Sequence, residues 1–509
     1  MAIPQEPMPH ASAGTFRLSK SKYLSGLQCQ KRLYLEIHAP TLATAPDEKT
    51  QAILDMGTEV GELARQRFPG GVLVTATHRH PTEALRQTAA LLADPAVPAI
   101  YEGALECDRV LVRVDILERV APASGGPDKW RLIEVKSSSR TKDVHISDLA
   151  IQAHVARGAG LSLDGTWLMH INTQYVYAGG PLDLTQLFFL QDLSAQVAAM
   201  EPDIAPRLAR MKAMLQAPLP PAIEPGSHCH QPYDCPFWDH CTKEKPVRWI
   251  YHLPGSAQTI ERLSRQGVET IDAIPHDVKL TSVQRRVKDN VEWVGAGLYA
   301  ALSSIRFPVH HLDFETFMPA IPKFPMTRPY QTIPTQWSNH IETEEGEVRH
   351  EAYLCRAPDD PREEFSVTLL ESLGREGSIC VYSDYERAVL QRLAEALPSL
   401  RADLTQAMAR LWDLLTIVKD YYYHPAFAGS FSIKSVLPAL VPDLSYEDLE
   451  IREGGTAARA YQQMVFEETD WVEKERLRDA LLKYCERDTL AMLAVRKALA
   501  ARAIEPRNA

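Results

Sequence analysis

Apolar positions along this chain recur with two periods, and each change of period marks a change of element. The stretch SKSKYLSGLQCQKRLYLEIH starts at a serine cap and reads as one helix, and QAILDMGTEVGELARQRF reads as a second. Strand-like patterns then take over in ALECDRVLVRVDILERV and KWRLIEVKSSS, before SDLAIQAHVARGAG returns to helix. The Pro-rich run APLPPAIEPGSH interrupts regular structure. From residue 246 to 306 the pattern is helical and more basic, with LTSVQRRVKDNVEWVGAGLYAALSSI as its main run. No strand and turn precede GAGLYA, so Gly295 and Gly297 read as close helix packing rather than a dinucleotide loop. A second α/β pattern follows, with the strands PVHHLDFETF and SICVYSDY and the long helix DWVEKERLRDALLKYCERDTLAMLAVRKAL. These shifts predict a leader at 1–16, an α/β unit at 17–245, a helical connector at 246–306, a second α/β unit at 307–500 and a tail at 501–509.

Composition narrows the class. A length of 509 residues suits two or three domains. Hydrophobic content of 45% and charged content of 24% are those of a globular protein. No apolar run reaches about 18 residues, so no membrane partner is expected. The N-terminus lacks a basic region followed by an apolar core, which predicts a cytoplasmic protein. The chain holds eight cysteines, and in that setting the clustered ones point to metal binding rather than disulfides. A net charge of −11 excludes a globally basic nucleic-acid coat but leaves room for a local basic groove. The pattern GxxxxGK[ST] is absent, so no ATP-driven motor is encoded.

Two acidic constellations carry candidate chemistry. In RLIEVKSSS, period-two alternation puts Glu134 and Lys136 on one strand face and Ile133 and Val135 on the other. Asp115 lies in VRVDIL on a preceding strand, close enough to pair as a hairpin, and Gln152 lies on the next helix. Two carboxylates that hold Mg2+ or Mn2+, with a lysine beside them, suit phosphodiester hydrolysis. A surface Glu–Lys pair is the simpler reading of the dipeptide alone. In order and spacing these residues resemble the RecB-like branch of the PD-(D/E)XK nucleases. The resemblance implies a restriction-endonuclease-like fold with Asp115, Glu134, Lys136 and Gln152 as its centre. Two departures stand out: no histidine follows GTEVG, where Glu59 or Glu62 are the nearby acids, and Ala156 stands where that branch has tyrosine.

The second constellation is HHLDFETF, VYSDYERAVL and LLKYCERDT. Asp313 and Glu315 share a strand face, Glu386 is expected at the end of another strand, and Tyr484 and Asp488 share a helix face. This order resembles the DEDD exonucleases. The resemblance implies an RNase H-like fold, two divalent cations held by Asp313, Glu315, Glu386 and Asp488, and Tyr484 orienting the attacking water. Glu386 stands where that family usually has aspartate. Asp413 is read as supporting, and YYYHPAFAGSFSIKSVLPAL as either a strand-stacking surface with Lys434 or core plus a turn.

Three cysteines, Cys229, Cys235 and Cys241, recur at five-residue gaps in HCHQPYDCPFWDHC. With one of His228, His230 or His240 they could hold Zn2+, although zinc spacings are usually shorter. Cys107, Cys355, Cys380 and Cys485 read as core. The layout of Cys29 with the late trio resembles RecB-like nucleases that hold a [4Fe–4S] cluster, with one early and three late cysteines. That likeness implies a clasp closing residues 17–245. Across nearly the whole chain, GTEVGELAR, the cysteine trio, LDFETF and HPAFAGSFSIKSVLP resemble a bacterial family in which a domain of unknown function follows a RecB-like nuclease. The expectation is a nuclease with two centres, acting on DNA or RNA with DNA favoured, including 3′-to-5′ cleavage of single strands. The alternative is an iron–sulfur nucleic-acid-binding scaffold with one or both centres inactive.

Overall fold

The computed structural model describes residues 16–121 and 128–503. They form a mixed α/β protein of two compact units. The first ends at Glu244 and also takes in Pro319–Tyr330; the second comprises Lys245–Met318 and the residues from Gln331 onward. Most of the leader, the stretch 122–127 and the end of the tail lie outside the described residues.

The first unit runs β1 (Leu18–Ser19), α1 (Lys20–Gln28), α2 (Gln30–His38), α3 (Glu48–Arg65), β2 (Val72–Leu73), α4 (Pro81–Ala93), β3 (Ala99–Cys107), β4 (Val110–Val120), β5 (Lys129–Lys136), α5 (Asp143–Gly158), β6 (Leu163–Ile171), α6 (Leu184–Leu187), β7 (Phe188–Asp192), α7 (Ser194–Leu215) and α8 (Trp238–Thr242). Its sheet has the order β2-β3-β4-β5-β6-β7, with β1 alongside β4. The strand-like stretch ALECDRVLVRVDILERV is the hairpin β3–β4. Asp108 and Arg109 turn it with φ of 47° and 58°, values that a tight hairpin turn requires. β4 and β5 pair antiparallel, and β5 and β6 pair parallel. Alternation along β5 sends Leu132 into a core with Leu149 and Ala153 of α5, and Ile133 into a second core with Val60 of α3. Glu134 and Lys136 therefore leave the strand toward α5.

The second unit runs α9 (Ala257–Arg265), α10 (Ser282–Asp289), β8 (Trp293–Val294), α11 (Leu298–Leu302), β9 (Val309–Phe317), β10 (Ile333–Glu342), β11 (Val348–Leu354), α12 (Arg362–Leu373), β12 (Ser378–Val381), α13 (Tyr385–Ala396), α14 (Arg401–Met408), β13 (Leu411–Asp413), α15 (Leu414–Tyr421), β14 (Tyr422–Tyr423), α16 (Ile433–Leu440), α17 (Gly454–Gln462) and α18 (Trp471–Arg502). The main sheet has the order β11-β10-β9-β12-β13. β9, β10 and β11 are antiparallel, while β12 runs parallel to β9 and β13. Leu312 and Phe314 of β9 pack with Phe365, Leu369, Val389 and Leu404 of α12, α13 and α14. The alternate residues of β9 and β10 face α18, where Gln336 Nε2 donates to the Leu481 carbonyl at 2.9 Å and Ser338 Oγ meets Thr489 Oγ1 at 2.8 Å.

Three expected elements differ. The first helix is two helices, because Cys29 takes extended backbone, φ −159° and ψ 121°, between α1 and α2. The basic run of residues 280–305 is likewise broken: α10 stops at Asn290, whose φ of 54° is left-handed, and the chain then pairs β8 with β14. Gly297 is tightly packed, but against Tyr421, whose ring would lie 2.4 Å from an added Cβ. Glu386 sits in the first turn of α13 rather than at a strand end. Among the described residues, no helix is long and apolar enough to cross a membrane.

Candidate functional site

In the first unit, β5 and α5 bring Glu134, Lys136, Asp148 and Gln152 together. Lys136 Nζ lies 2.6 Å from Glu134 Oε1 and 2.7 Å from Asp148 Oδ2. Gln152 Nε2 donates to Glu134 Oε2 at 2.7 Å and to Asp148 Oδ1 at 2.9 Å. One helical turn separates Asp148 from Gln152, so both reach the same spot. Asp115 Oδ2 accepts the Val135 N–H at 2.7 Å across the β4–β5 pair. The pattern of the sequence missed a further member, Lys20. At the start of α1, its Nζ bonds both oxygens of Glu134, at 2.7 and 2.9 Å, and lies 3.4 Å from Asp148. Glu59 is elsewhere engaged, 2.8 Å from Lys323 Nζ.

Charge in this cluster is nearly balanced. Burial opposes the charge of Glu134, but Lys136 and Lys20 outweigh it and hold its carboxyl well below the usual range. Asp115 is pushed up to about 7, by burial first and then by the charge of Glu134. Burial also raises Asp148, with Glu134 adding to it. Lys20→Met is expected to cost about 2 kcal/mol in metal-free protein, less than the ~3–5 of a fully buried pair, because the Lys20 side chain keeps 23% exposure. It is also expected to tighten Mn2+ binding to this unit. Calorimetric Mn2+ titration in a D313N/E315Q background checks it, and unchanged affinity would show that Lys20 does not compete for the cation's place.

The second unit presents the opposite balance. Asp313 and Glu315 leave β9 toward α18, which supplies Tyr484, Cys485 and Asp488. Single ligand atoms of Asp313, Glu315 and Cys485 all lie within 4.8 Å of one another. Glu386 reaches in from α13, and its carboxyl lies against that of Asp313. Glu386 is buried, yet its Oε2 has no partner. Asp313 is raised well above the carboxylate range by burial and by the charges of Asp488, Glu315 and Glu386. Burial and the same neighbours raise Glu315, against a pull downward from Lys434. Glu386 is pushed up to about 8, mainly by burial. Asp488 is pushed up to about 6 by burial, while Tyr446, Lys434 and Tyr484 pull it back. Asp413 lies outside this ring, capping α15 through the amides of Leu415 and Thr416.

Lys434 Nζ is 3.3 Å from the Tyr484 hydroxyl and lies over the rings of Tyr446 and Tyr484. Tyr446 Oη donates to Asp488 Oδ1 at 2.5 Å. The aromatics around Lys434 divide: Tyr422, Tyr423, Phe427 and Phe431 are buried core, and only Lys434 reaches the acids. No local pattern marks Tyr446, because it lies on an irregular segment between α16 and α17.

The four cysteines Cys29, Cys229, Cys235 and Cys241 line one cavity, with Lys31, Arg32, Leu35 and Phe237 among its other walls. Extended backbone at Cys29 turns the chain there. The preceding Gln28 side chain donates to the carbonyls of His228 and Tyr233 at 2.9 and 2.7 Å. Within the trio, the Cys235 N–H donates to the Cys229 carbonyl at 2.8 Å. His228 Nε2 is 3.7 Å from Cys229 Sγ, whereas His230 turns to Asp234 at 2.7 Å. Among the described residues, no three of these sulfurs come within 4.8 Å of one another. A tetrahedral zinc site with Zn–S bonds of ~2.3 Å needs sulfurs about 3.8 Å apart. Lys31 and Arg32 bring positive charge to the cavity wall beside the four thiols.

None of the curated proteins matches the chain. Residues 310–432, from the second residue of β9 through Asp313, Glu315 and Glu386 to just short of α16, are similar to a family described as a domain of unknown function, DUF2779.

Proposed function

We propose that this protein is a metal-dependent nuclease with its main centre in the second unit. The observation that carries this reading is that Asp313, Glu315, Glu386 and Asp488, from three separate elements, converge with one nearby ammonium, that of Lys434. Carboxylates collected at a protected site are costly unless cations compensate them. The sheet order, three antiparallel strands followed by two parallel ones, supports the RNase H-like, DEDD reading. Those four acids would hold Mg2+ or Mn2+, which when bound polarises the scissile phosphate and lowers the pKa of water. Tyr484, held against Lys434, orients the attacking water by its hydroxyl. Lys434 offsets charge on the phosphate side. DNA is the favoured substrate, with RNA as the other polymer of the same chemistry.

The first unit supports a PD-(D/E)XK centre of Asp115, Glu134, Lys136 and Gln152, and a [4Fe–4S] clasp on Cys29, Cys229, Cys235 and Cys241. One observation favours the scaffold reading for this unit. Both oxygens of Glu134 are taken by Lys20, and Lys136 and Gln152 add to them. Asp115→Ala and Asp313→Ala, assayed separately on end-labelled single- and double-stranded DNA and RNA with Mn2+, distinguish the cases. Loss in D313A alone assigns cleavage to the second unit and leaves the first as a binding module. Full activity in both variants would sink the proposal.

A further inference from the structure

Cys485 reads from its surroundings as a core residue, being fully buried on α18. Its sulfur, however, lies 3.8 Å from both the Asp313 carbonyl and Asp313 Oδ2. It faces the charges of Asp313, Glu315 and Asp488 rather than apolar side chains alone. By contrast, Cys355 spends its thiol on the Ala357 carbonyl. The ligand atoms of Asp313, Glu315 and Cys485 close to within 4.8 Å, the scale of one coordination sphere after slight contraction. A second observation points to a cation here. Glu386, 3% exposed, has its carboxyl against Asp313 and an Oε2 that no donor satisfies.

We propose that Cys485 is a third ligand at the Asp313–Glu315 centre, so that this position takes a thiophilic divalent cation, of the Zn2+ or Co2+ class, in preference to Mg2+. Hard cations such as Mg2+ take oxygen ligands, whereas thiolate selects softer ions. This deepens the metal-dependent reading above and rests on it. When the ion binds, the sulfur–hydrogen bond gives way to a sulfur–metal bond and one proton leaves to solvent. Asp313 and Glu315 bind as carboxylates, and any proton that burial keeps on them leaves to solvent as well. Glu386 and Asp488 remain free for a second cation on the oxygen-lined side.

The test uses the full chain with its cysteine cluster loaded, titrated with Co2+ without oxygen. The expected result is a near-ultraviolet thiolate-to-cobalt charge-transfer band that is absent from C485S and from D313N/E315Q. C485S should lose at least about tenfold in Co2+ affinity, as loss of even an outer-shell partner does, and keep its Mn2+ affinity by paramagnetic resonance. Co2+ binding that depends on Asp313 and Glu315 but shows no such band would overturn the Cys485 assignment and leave the carboxylate centre standing. Absence of any Asp313-dependent cation would remove both. Circular dichroism checks that C485S folds. If it does not, the spectrum of the native chain minus that of D313N/E315Q decides the same question, because Cys485 is the thiol within reach of those acids.

Discussion

Asp313→Asn is expected to raise the melting temperature of metal-free protein and to abolish both Mn2+-induced stabilisation and cleavage by the second unit. The sign follows from the crowd around it. Asp313 meets Glu315, Glu386 and Asp488, and Lys434 offsets the charge of Glu315 and Asp488. Removing one carboxylate relieves repulsion while no cation is present, and removes a ligand when one is. At a Mn2+ concentration of about 100 times Kd, binding adds roughly 2.7 kcal/mol to the native protein. That amounts to a shift of roughly 5–10 °C for a unit of this size, and D313N should show almost none. Activity should fall by at least ~100-fold, beyond what loss of an outer-shell partner costs.

The pH dependence has a defined direction. Glu386 is raised to about 8 and Asp488 to about 6, both above ordinary carboxylates, so the folded state binds their protons more tightly than the unfolded one. Their contribution is therefore fully present only below the ordinary value of 3.8 for Asp488, and is lost progressively as pH rises, completely for Asp488 above about 6 and for Glu386 above about 8. Metal-free protein should lose stability over that window, and saturating Mn2+ should flatten the loss. Thermal melts at pH 5 and pH 8, with chelator and with Mn2+, measure this. An equal Mn2+ shift in D313N and the native chain would contradict the assignment of the cation to these acids.

Cys29→Ser should strip the cysteine cluster of its early ligand and destabilise the first unit severely. A structural metal supplies folding energy directly, ~10 kcal/mol or more in small zinc domains, because the unfolded chain holds no preformed site. Here the proposed linkage would span Cys29 and the trio Cys229, Cys235 and Cys241, so one bound group would close a loop of about 200 residues. The Gln28 amide bonds to His228 and Tyr233 remain in the variant, but hydrogen bonds of this kind are worth only about 1 kcal/mol each. Iron and zinc content, the visible spectrum and limited proteolysis check the outcome. Cys107→Ser, a thiol of the same unit outside the cavity, is the control. A C29S protein with full iron content and unchanged protease resistance would refute the clasp.

Local periodicity determined much of the candidate chemistry. Strand alternation was enough to put Glu134 beside Lys136 and Asp313 beside Glu315, and a helical turn was enough to align Tyr484 with Asp488, because these relations depend only on backbone geometry within one element. The spacing of the cysteines likewise marked the residues that line the later cavity. What the tertiary structure alone decided is which faces meet. Lys20 lies 114 residues before Glu134 and carries no mark of its partner, while Asp148 looks like any polar residue on α5. Tyr446, on an irregular segment, finds Asp488 only because α18 lies across β9 and β10. Cys485 passes as core by every local criterion, and its surroundings become polar only when Asp313 arrives from β9. The helix break at Cys29 and the start of α13 ahead of Glu386 have the same cause. Propensity within a short stretch is weak, and packing between distant elements overrides it. Burial and charge balance are sums over neighbours from the whole unit, so the difference between a cluster compensated by two lysines and one left with a single ammonium belongs to the fold and not to either motif.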